Sequence, residues 1–475
     1  DDFGPSTSMP VRVHAYEPLH KDWAYRMRLE APGYGKDEPL EGFALPIRLV
    51  EGLGGFSYSQ CASPTGGDLR FADATATNGL VHEIERWDPT GESLVWVRLP
   101  ELRGSDTALW MYWGHAEQTD PPAYTADGST WADESLVLHL SDGSGTAAKD
   151  SSASNRTVSV YGANTAWSQP GAGAHALRLD NRNNALTLTA PLGEAWTLSV
   201  WVDELWDASA GKVLAMVDNN NYPAAMNSGD EALGVRQDGV FVSSGYSNAP
   251  PAGAWHQLTA VGSGTQTAFY LDGTLVGLCA TNRVEGTLTR LNGPGFFTQT
   301  SFARLLDEIR LSTVARSSNW VWACYQALAD GGFVVPGQAQ RQTEATDPDL
   351  DGDGMADAWE QQHFGGTQAV WDADADGDGA LNGAEYVAGT DPTNAASVFE
   401  LLADPADGAV YFHTIDASGY GPDRHRYYSL QSASNLLDAL WQPVPDYTNL
   451  LGQGQTVTCT NPPAPAFLRG RVRLE

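Results

Sequence analysis

The sequence predicts a mainly β protein built of tandem antiparallel sandwiches, and three observations carry that prediction. The 475 residues include 50 Gly and 27 Pro, enough turn formers to break the chain into many short segments. Hydrophobic residues make up 42%, with 16 Trp and 17 Tyr, so large apolar faces must be buried and a largely disordered chain is excluded. Val, Thr and Trp recur at alternating positions, the period of a half-buried strand. At ~150 residues per domain, the length corresponds to roughly three domains.

Charge narrows the class of partner. The chain carries 59 acidic and 27 basic residues, a net of −32, which makes nucleic acid a poor partner. The acids are concentrated: between Glu344 and Asp391 there are 13 Asp or Glu and no Lys or Arg. So dense a carboxylate cluster repels itself unless cations neutralise it. No run of ~18 apolar residues occurs, so no membrane span is expected. The chain opens on Asp1-Asp2 without a basic, apolar leader, which suits a mature secreted form or an artificial start. Cys61, Cys279, Cys324 and Cys459 follow no metal-ligand spacing; a Cys279–Cys324 disulfide and buried free thiols both stay open.

Residues 1–18 form an extension in which Met9–Tyr16 alternates apolar with polar, a strand that could pair within its own domain or be donated to another molecule. Residues 19–130 read as a β-sandwich, with strands at Tyr25–Leu29, Ala44–Val50, Leu69–Phe71, Val81–Trp87, Leu94–Leu99 and Ala108–Trp113. Within it, Trp23-Ala-Tyr-Arg26, Gly67-Asp-Leu-Arg-Phe71, Glu83-Ile-Glu85, Leu94–Pro100 and Leu109–Gly114 resemble the bacterial "domain of unknown function 2341". That resemblance implies a large exported protein and no particular activity.

Residues 131–335 carry a longer β pattern, including Asp150-Ser-Ser152, Ala176–Asp180, Trp196–Trp201, Trp255–Leu258, Phe269–Val276 and Leu306–Leu311. Asp272-Gly273 between two apolar runs signals a type I′ hairpin, which needs positive φ at both central residues. These stretches resemble a laminin-G-like, concanavalin-type jelly roll, and Asp307–Ser312 with Ala315–Trp320 resembles its closing strand and short helix. The resemblance implies a fold that serves glycan binding, adhesion and catalysis alike. Residues 336–346 read as a polar linker, and 397–475 as a small terminal β domain. Arg426–Leu430, Trp441 and Phe467–Arg473 resemble a terminal module of secreted proteins from environmental bacteria.

The segment 347–396 holds the strongest motif. An EF-hand-type loop places oxygen ligands at positions 1, 3 and 5, Gly at 6, a carbonyl at 7, a polar residue at 9 and a bidentate Glu at 12. Asp349, Asp351, Asp353, Gly354, Met355, Asp357 and Glu360 fill these positions, and so do Asp374, Asp376, Asp378, Gly379, Ala380, Asn382 and Glu385. Two Ca²⁺ ions are expected. No helix pattern enters either loop, so the pair resembles thrombospondin type 3-like or dockerin-like repeats; Ala358-Trp359 and Gly383-Ala384 depart from the dockerin recognition pair. The segment is expected to be a short calcium-binding loop-helix unit with a structural role, stiffening the junction between jelly roll and terminal domain.

Signals for catalysis are poor. Glu83-Ile-Glu-Arg-Trp-Asp88 is faintly similar to the paired carboxylates of jelly-roll glycosidases, but Asp88 leaves the strand face of Glu83 and Glu85 and begins a turn. Asp307-Glu308 reads as structural, or as a third calcium site with Asp150. The 10 histidines show no zinc motif, and no nucleophile elbow or phosphate loop occurs. Trp206, Tyr222 and Tyr246, with the loop Asp218–Pro223, are the candidate glycan platform. The reading is a non-catalytic, calcium-binding extracellular or cell-surface protein of adhesion or carbohydrate recognition, whose partners are glycans or other surface proteins. Two alternatives stay open: a subunit of an extracellular fibre, self-assembled as a homopolymer by strand addition, and accessory domains of a polysaccharide-degrading enzyme.

Overall fold

The computed structural model describes residues 19–206, 210–293, 299–342, 353–404, 408–417, 425–434, 441–460, 462 and 467–474. The proposed donor strand Met9–Tyr16 and the loop residues Asp349 and Asp351 lie outside them. The chain divides into two units, Tyr25–Arg341 and the remainder, taken here one at a time.

In Tyr25–Arg341 the first sandwich sets a six-stranded sheet against a three-stranded one. The larger sheet runs in the order Val335–Pro336, Tyr25–Glu30, Ala108–Trp113, Arg70–Asp73, Gly79–Leu80, with Gln340–Arg341 also on Tyr25–Glu30; the smaller is Ala44–Val50, Glu92–Arg98, His82–Arg86. Alternation explains the core: Met27, Leu29, Ile47, Leu49, Val95, Val97 and Met111 face inward from both sheets. The start of the expected linker is in fact strand, since residues 335–336 and 340–341 pair with Tyr25–Glu30. These are two-residue strands at a sheet edge, too short to show alternation, and so the sequence pattern missed them.

The second sandwich is the jelly roll, an eight-stranded and a nine-stranded sheet, antiparallel except where Gln299–Ser301 runs parallel to Gly211–Met216, enclosing Leu136, Leu177, Trp196, Leu198, Leu288, Leu306, Ile309 and Leu311. Asp272 and Gly273 have φ of 51° and 73°, the two positive values that the I′ hairpin requires. The closing strand Ala303–Ser312 is followed by helix α1, Ser318–Ala329, capped by the Ser317 side chain on the Trp320 amide. Helix α1 sends Ala323 and Ala327 into the first sandwich's core. The two sandwiches also share a buried seam of Leu94, Trp96, Trp131, Val137, Trp201 and Leu328, so the outer face of the eight-stranded sheet is covered.

In the other unit, helices α2 (Asp357–Phe364) and α3 (Asn382–Ala388) each end on a left-handed glycine, Gly365 and Gly389. The terminal strands form a three-stranded sheet, Leu402–Ala403, Val410–His413, Thr456–Cys459, and a four-stranded one centred on Arg426–Ala433 and Phe467–Leu474. The helices do not stand apart from these sheets. Met355, Trp359, Tyr386 and Val387 share one core with Phe412, Tyr428, Val472 and Leu474. Among the described residues all four cysteines are free thiols, so the Cys279–Cys324 disulfide is not formed.

Candidate functional site

Two carboxylate clusters stand out. The first is the second repeat loop. Gly379, at φ 95°, makes the sharp turn, and the backbone folds back so that the Gly377 and Gly379 amides donate to Asp374 at 2.7 and 3.0 Å. Carboxylate oxygens of Asp374, Asp376 and Asp378 thereby converge to within 4.8 Å of one another. Helix α3 then brings in Glu385, which is buried, and neither of its carboxylate oxygens accepts a hydrogen bond of normal geometry. Asp376 Oδ2, Asp378 Oδ2 and Asn382 Oδ1 are buried in the same condition. Burial, with the charges of Asp376, Asp378 and Asp374, pushes the Glu385 carboxyl up to about 8 against the pull of the Thr390 side chain. In the first loop Gly354 turns at φ 100°, the Met355 amide donates to Asp353 at 2.9 Å, and Asp357 and Glu360 are buried at the start of α2. Ala380 follows its turn with its amide on Asp378 at 2.7 Å.

These residues fit a hard divalent cation. Buried oxygens without donors, grouped around a positive-φ glycine and far from any Lys or Arg in sequence, are what an all-oxygen calcium site supplies. The repeats are tied to the terminal sheets by Arg426, which is fully buried. Its guanidinium donates to Val387 O at 2.9 Å, Tyr386 O at 3.2 Å and Asp416 O at 2.6 Å, so it caps the C-terminus of α3 with positive charge. The Tyr428 hydroxyl donates to Ala388 O at 3.3 Å beside it.

The second cluster lies in the seam between the two sandwiches. Glu83 and Glu85 leave the same face of the strand His82–Arg86, as their i, i+2 spacing dictates. His139, at the end of the strand Glu134–Leu138, sits between them and Glu308: Nδ1 is 2.7 Å from Glu308 Oε1 and 3.3 Å from Glu85 Oε2, and Nε2 is 3.6 Å from Glu83 Oε2. Arg310 binds Glu308 at 2.7 Å and Lys149 binds Glu83 at 3.0 Å. Burial opposes charge on Glu83 and Glu308, yet His139 with Lys149 holds the former at about 2, and His139 with Arg310 the latter at about 2. Burial and the Glu308 charge push Glu85 up to about 7, and the same causes, with Glu85, raise Asp307 well above the usual range. Burial disfavours the imidazolium, but the charges of Glu308 and Glu85 raise His139 well above its ordinary value.

Asp307-Glu308 is therefore not a lone pair, and Asp150 is not its partner. The Asp150 carboxylate is taken by the backbone amides of Val137, Ser152 and Arg156. Asp88 pairs with Arg86 and caps the turn at Thr90, away from Glu83 and Glu85. His139 was missed because a single His among apolar residues has no motif; its signal is that it is the one polar residue in the apolar run Leu136-Val-Leu-His-Leu140. Of the candidate glycan platform Trp206, Tyr222 and Tyr246, the structure removes Tyr222, while Trp206 and Tyr246 are half-buried. Tyr222 is buried with its hydroxyl on Asn219 and Gln299, Arg304 lies over the Trp206 ring at 4.3 Å, and Tyr246 packs on the jelly-roll core. Turn residues next to an aromatic mark a loop, but burial decides whether its ring is free to stack.

Fold and clusters define a mainly β, multi-domain protein with a concanavalin-like jelly roll. Residues 65–166 match the family described as a domain of unknown function (DUF2341), 173–321 the concanavalin A-like lectin/glucanases superfamily, and 349–367 and 374–395 the bacterial TSP3 repeat. That superfamily, by its description, spans lectins and glucanases. Among solved structures the chain is similar to domain 4 of AbnA, a GH43 extracellular arabinanase from Geobacillus stearothermophilus in complex with arabinotriose: 16% identity, 41% of this chain, 99% of that one, TM-score 0.33. It is also similar to the botulinum neurotoxin serotype D binding domain, at 12% identity over 41% of this chain and 50% of that one, TM-score 0.31. The match thus spans half of the toxin chain. No curated protein matches. No helix among the described residues is long and apolar enough to cross a membrane.

Proposed function

We propose that this chain is a calcium-stabilised, non-catalytic carbohydrate-recognition protein acting outside the cell, with the jelly roll as its recognition unit. The observation that carries the calcium half is the buried Glu385 carboxylate, raised by burial and by the charges of Asp376, Asp378 and Asp374, whose own oxygens converge to within 4.8 Å of one another. Asp374, Asp376, Asp378, the Ala380 carbonyl, Asn382 and Glu385 would hold one ion. Asp349, Asp351, Asp353, the Met355 carbonyl, Asp357 and Glu360 would hold the other. The ions supply positive charge at the root of two helices that are too short to persist unaided.

The lectin/glucanase match supports carbohydrate as the ligand class. Against catalysis stands the burial of the only acidic pair on the closing strand: Asp307 and Glu308 are 0% and 1% exposed beneath the first sandwich, where no saccharide reaches. Recognition then falls to the nine-stranded sheet. Val158 and Val160 face inward, which turns the Tyr161 ring out at 58% exposure, with Arg290 5.9 Å from its centre. A glycan array followed by calorimetry on the full chain tests this reading. Binding of at least one polysaccharide class is expected, weakened about fivefold by Tyr161→Ala. Hydrolysis of the bound glycan, or binding indifferent to Tyr161, would refute it.

A further inference from the structure

The seam cluster has a charge problem that its own residues solve only in part. Four carboxyls meet there, Glu83, Glu85, Asp307 and Glu308, against two fixed cations, Arg310 and Lys149. With His139 neutral the cluster carries two uncompensated negative charges. Side chains of Glu83, Glu85, His139 and Glu308 are 6%, 1%, 7% and 1% exposed, so water does little to spread that charge. Isolated buried charge of this kind is not tolerated. Two protons, or one divalent cation, would balance it.

Geometry singles out the point where a cation would sit. One ligand atom each from Glu85, His139 and Glu308 lies within 4.8 Å of the other two. The set is mixed nitrogen and oxygen, which suits a zinc-class ion, in contrast with the all-oxygen loops of the repeats. An outer shell is already in place. The Trp96 indole N–H and the Ser141 hydroxyl donate to Glu85 at 2.8 and 2.9 Å, and Arg310 donates to the far oxygen of Glu308 at 2.7 Å. His139 Nε2, buried and without a hydrogen bond, is directed at Glu83 Oε2, where a metal-bound imidazole would send its N–H.

The backbone is deformed to build this point. Glu308 has φ 45°, and the pairing of its strand with Ala195–Leu205 shifts register between Ser199 and Trp201, a bulge. Gly171 and Gly173 let the neighbouring loop close over the acids, for a Cβ on Gly171 would fall 2.4 Å from Asp307 Oδ2 and one on Gly173 3.0 Å from Glu308 Oε1.

We propose that Glu85, His139 through Nδ1, and Glu308 bind one divalent transition-metal ion of the zinc class, with Glu83 as the outer partner of the imidazole. The ion takes the place of the two protons that would otherwise balance the cluster. Because Glu85 belongs to the first sandwich and His139 and Glu308 to the jelly roll, the ion is a staple between the two. A motif search cannot find such a site, since its ligands stand at positions 85, 139 and 308.

The test uses the full chain purified without chelator and kept in excess Ca²⁺, so that the repeats are saturated. Elemental analysis should find about one zinc-class ion per chain. After exchange to Co²⁺, a visible d–d band should appear, lost in His139→Gln and in Glu85→Gln but kept in Asp376→Asn. Glu85→Gln retains the side chain's size and an acceptor for the Trp96 N–H, with its amide able to donate to the Ser141 hydroxyl, and the native metal content needs no variant at all. Less than about a tenth of an ion per chain, with no cobalt band, overturns the proposal and leaves two protons as the counter-charge. A band that survives His139→Gln and vanishes in Asp376→Asn overturns it too, because the ion then sits in the repeats.

Discussion

The repeat loop and the seam are both crowded with carboxylates, and they differ in where the balancing charge comes from. Around Asp374, Asp376, Asp378 and Glu385 there is no Lys or Arg in the stretch from Glu344 to Asp391. In the seam, Arg310 and Lys149 are salt-bridged to Glu308 and Glu83, and His139 lies among the acids. On the proposed reading one site takes its balancing cations from solution, while the other carries most of its own. The lesson is that acid density alone does not mark a calcium site; acids without internal cations do.

The broadest way to break this comparison is to remove calcium. The repeat helices bury Trp359, Tyr386 and Val387 in the same core as Phe412, Tyr428 and Val472, so releasing the loops should loosen the terminal sheets with them. At calcium a thousandfold above its dissociation constant the linkage is worth about 4 kcal/mol. Calorimetry with excess chelator should lower the transition of the repeat unit by about 10 °C or more while the Tyr25–Arg341 transition moves by only about 2 °C. Equal shifts of both, or none, would defeat the distinction.

A second perturbation strikes the seam. Trp131 is buried against Trp96 at 5.4 Å and its indole N–H donates to Glu83. Trp131→Ala should cost about 3–5 kcal/mol through cavity formation, read by denaturant unfolding of Tyr25–Arg341, with the calcium isotherm unchanged. A third strikes the other side. Arg426→Met removes three hydrogen bonds to buried carbonyls at the end of α3 and should cost about 3 kcal/mol, weakening calcium binding at the same time. If calcium affinity holds in that variant, the repeats are less tightly joined to the terminal sheets than their common core indicates.

Much of this was legible in the sequence for reasons that can be named. Alternation reveals strands with one buried face, so Ala44–Val50 and the Asp272-Gly273 hairpin could be read directly. The second calcium loop is local in sequence, with every proposed ligand inside twelve positions. The seam cluster is not local. Glu83 and Glu85 could be placed on one face, but nothing in the chain says that this face meets His139 and Glu308. Exposure is equally invisible, which is why Tyr222 looked available although it is buried. Helix α2 and α3 were invisible as core elements because their short spans, eight and seven residues, hold too few turns to display a stripe.

The finest test reverses sign with calcium. Glu385→Gln keeps the size of the side chain and its place in α3, and removes a carboxyl that burial and Asp376, Asp378 and Asp374 push up to about 8 when no ion is bound. A carboxyl raised in this way stabilises the fold least at high pH: its contribution is lost as pH climbs from 4.5, its ordinary value, to about 8. In chelator at neutral pH the variant should therefore melt slightly higher than the native protein, and the native protein should itself gain stability on mild acidification. In calcium the order should invert, because the bidentate position of the loop is lost and affinity falls about tenfold, or about 1.4 kcal/mol. Melting curves of both proteins, with and without calcium, show whether the two orders cross. Parallel curves would mean that Glu385 is buried for packing alone and that the loop draws its cation affinity from the three aspartates.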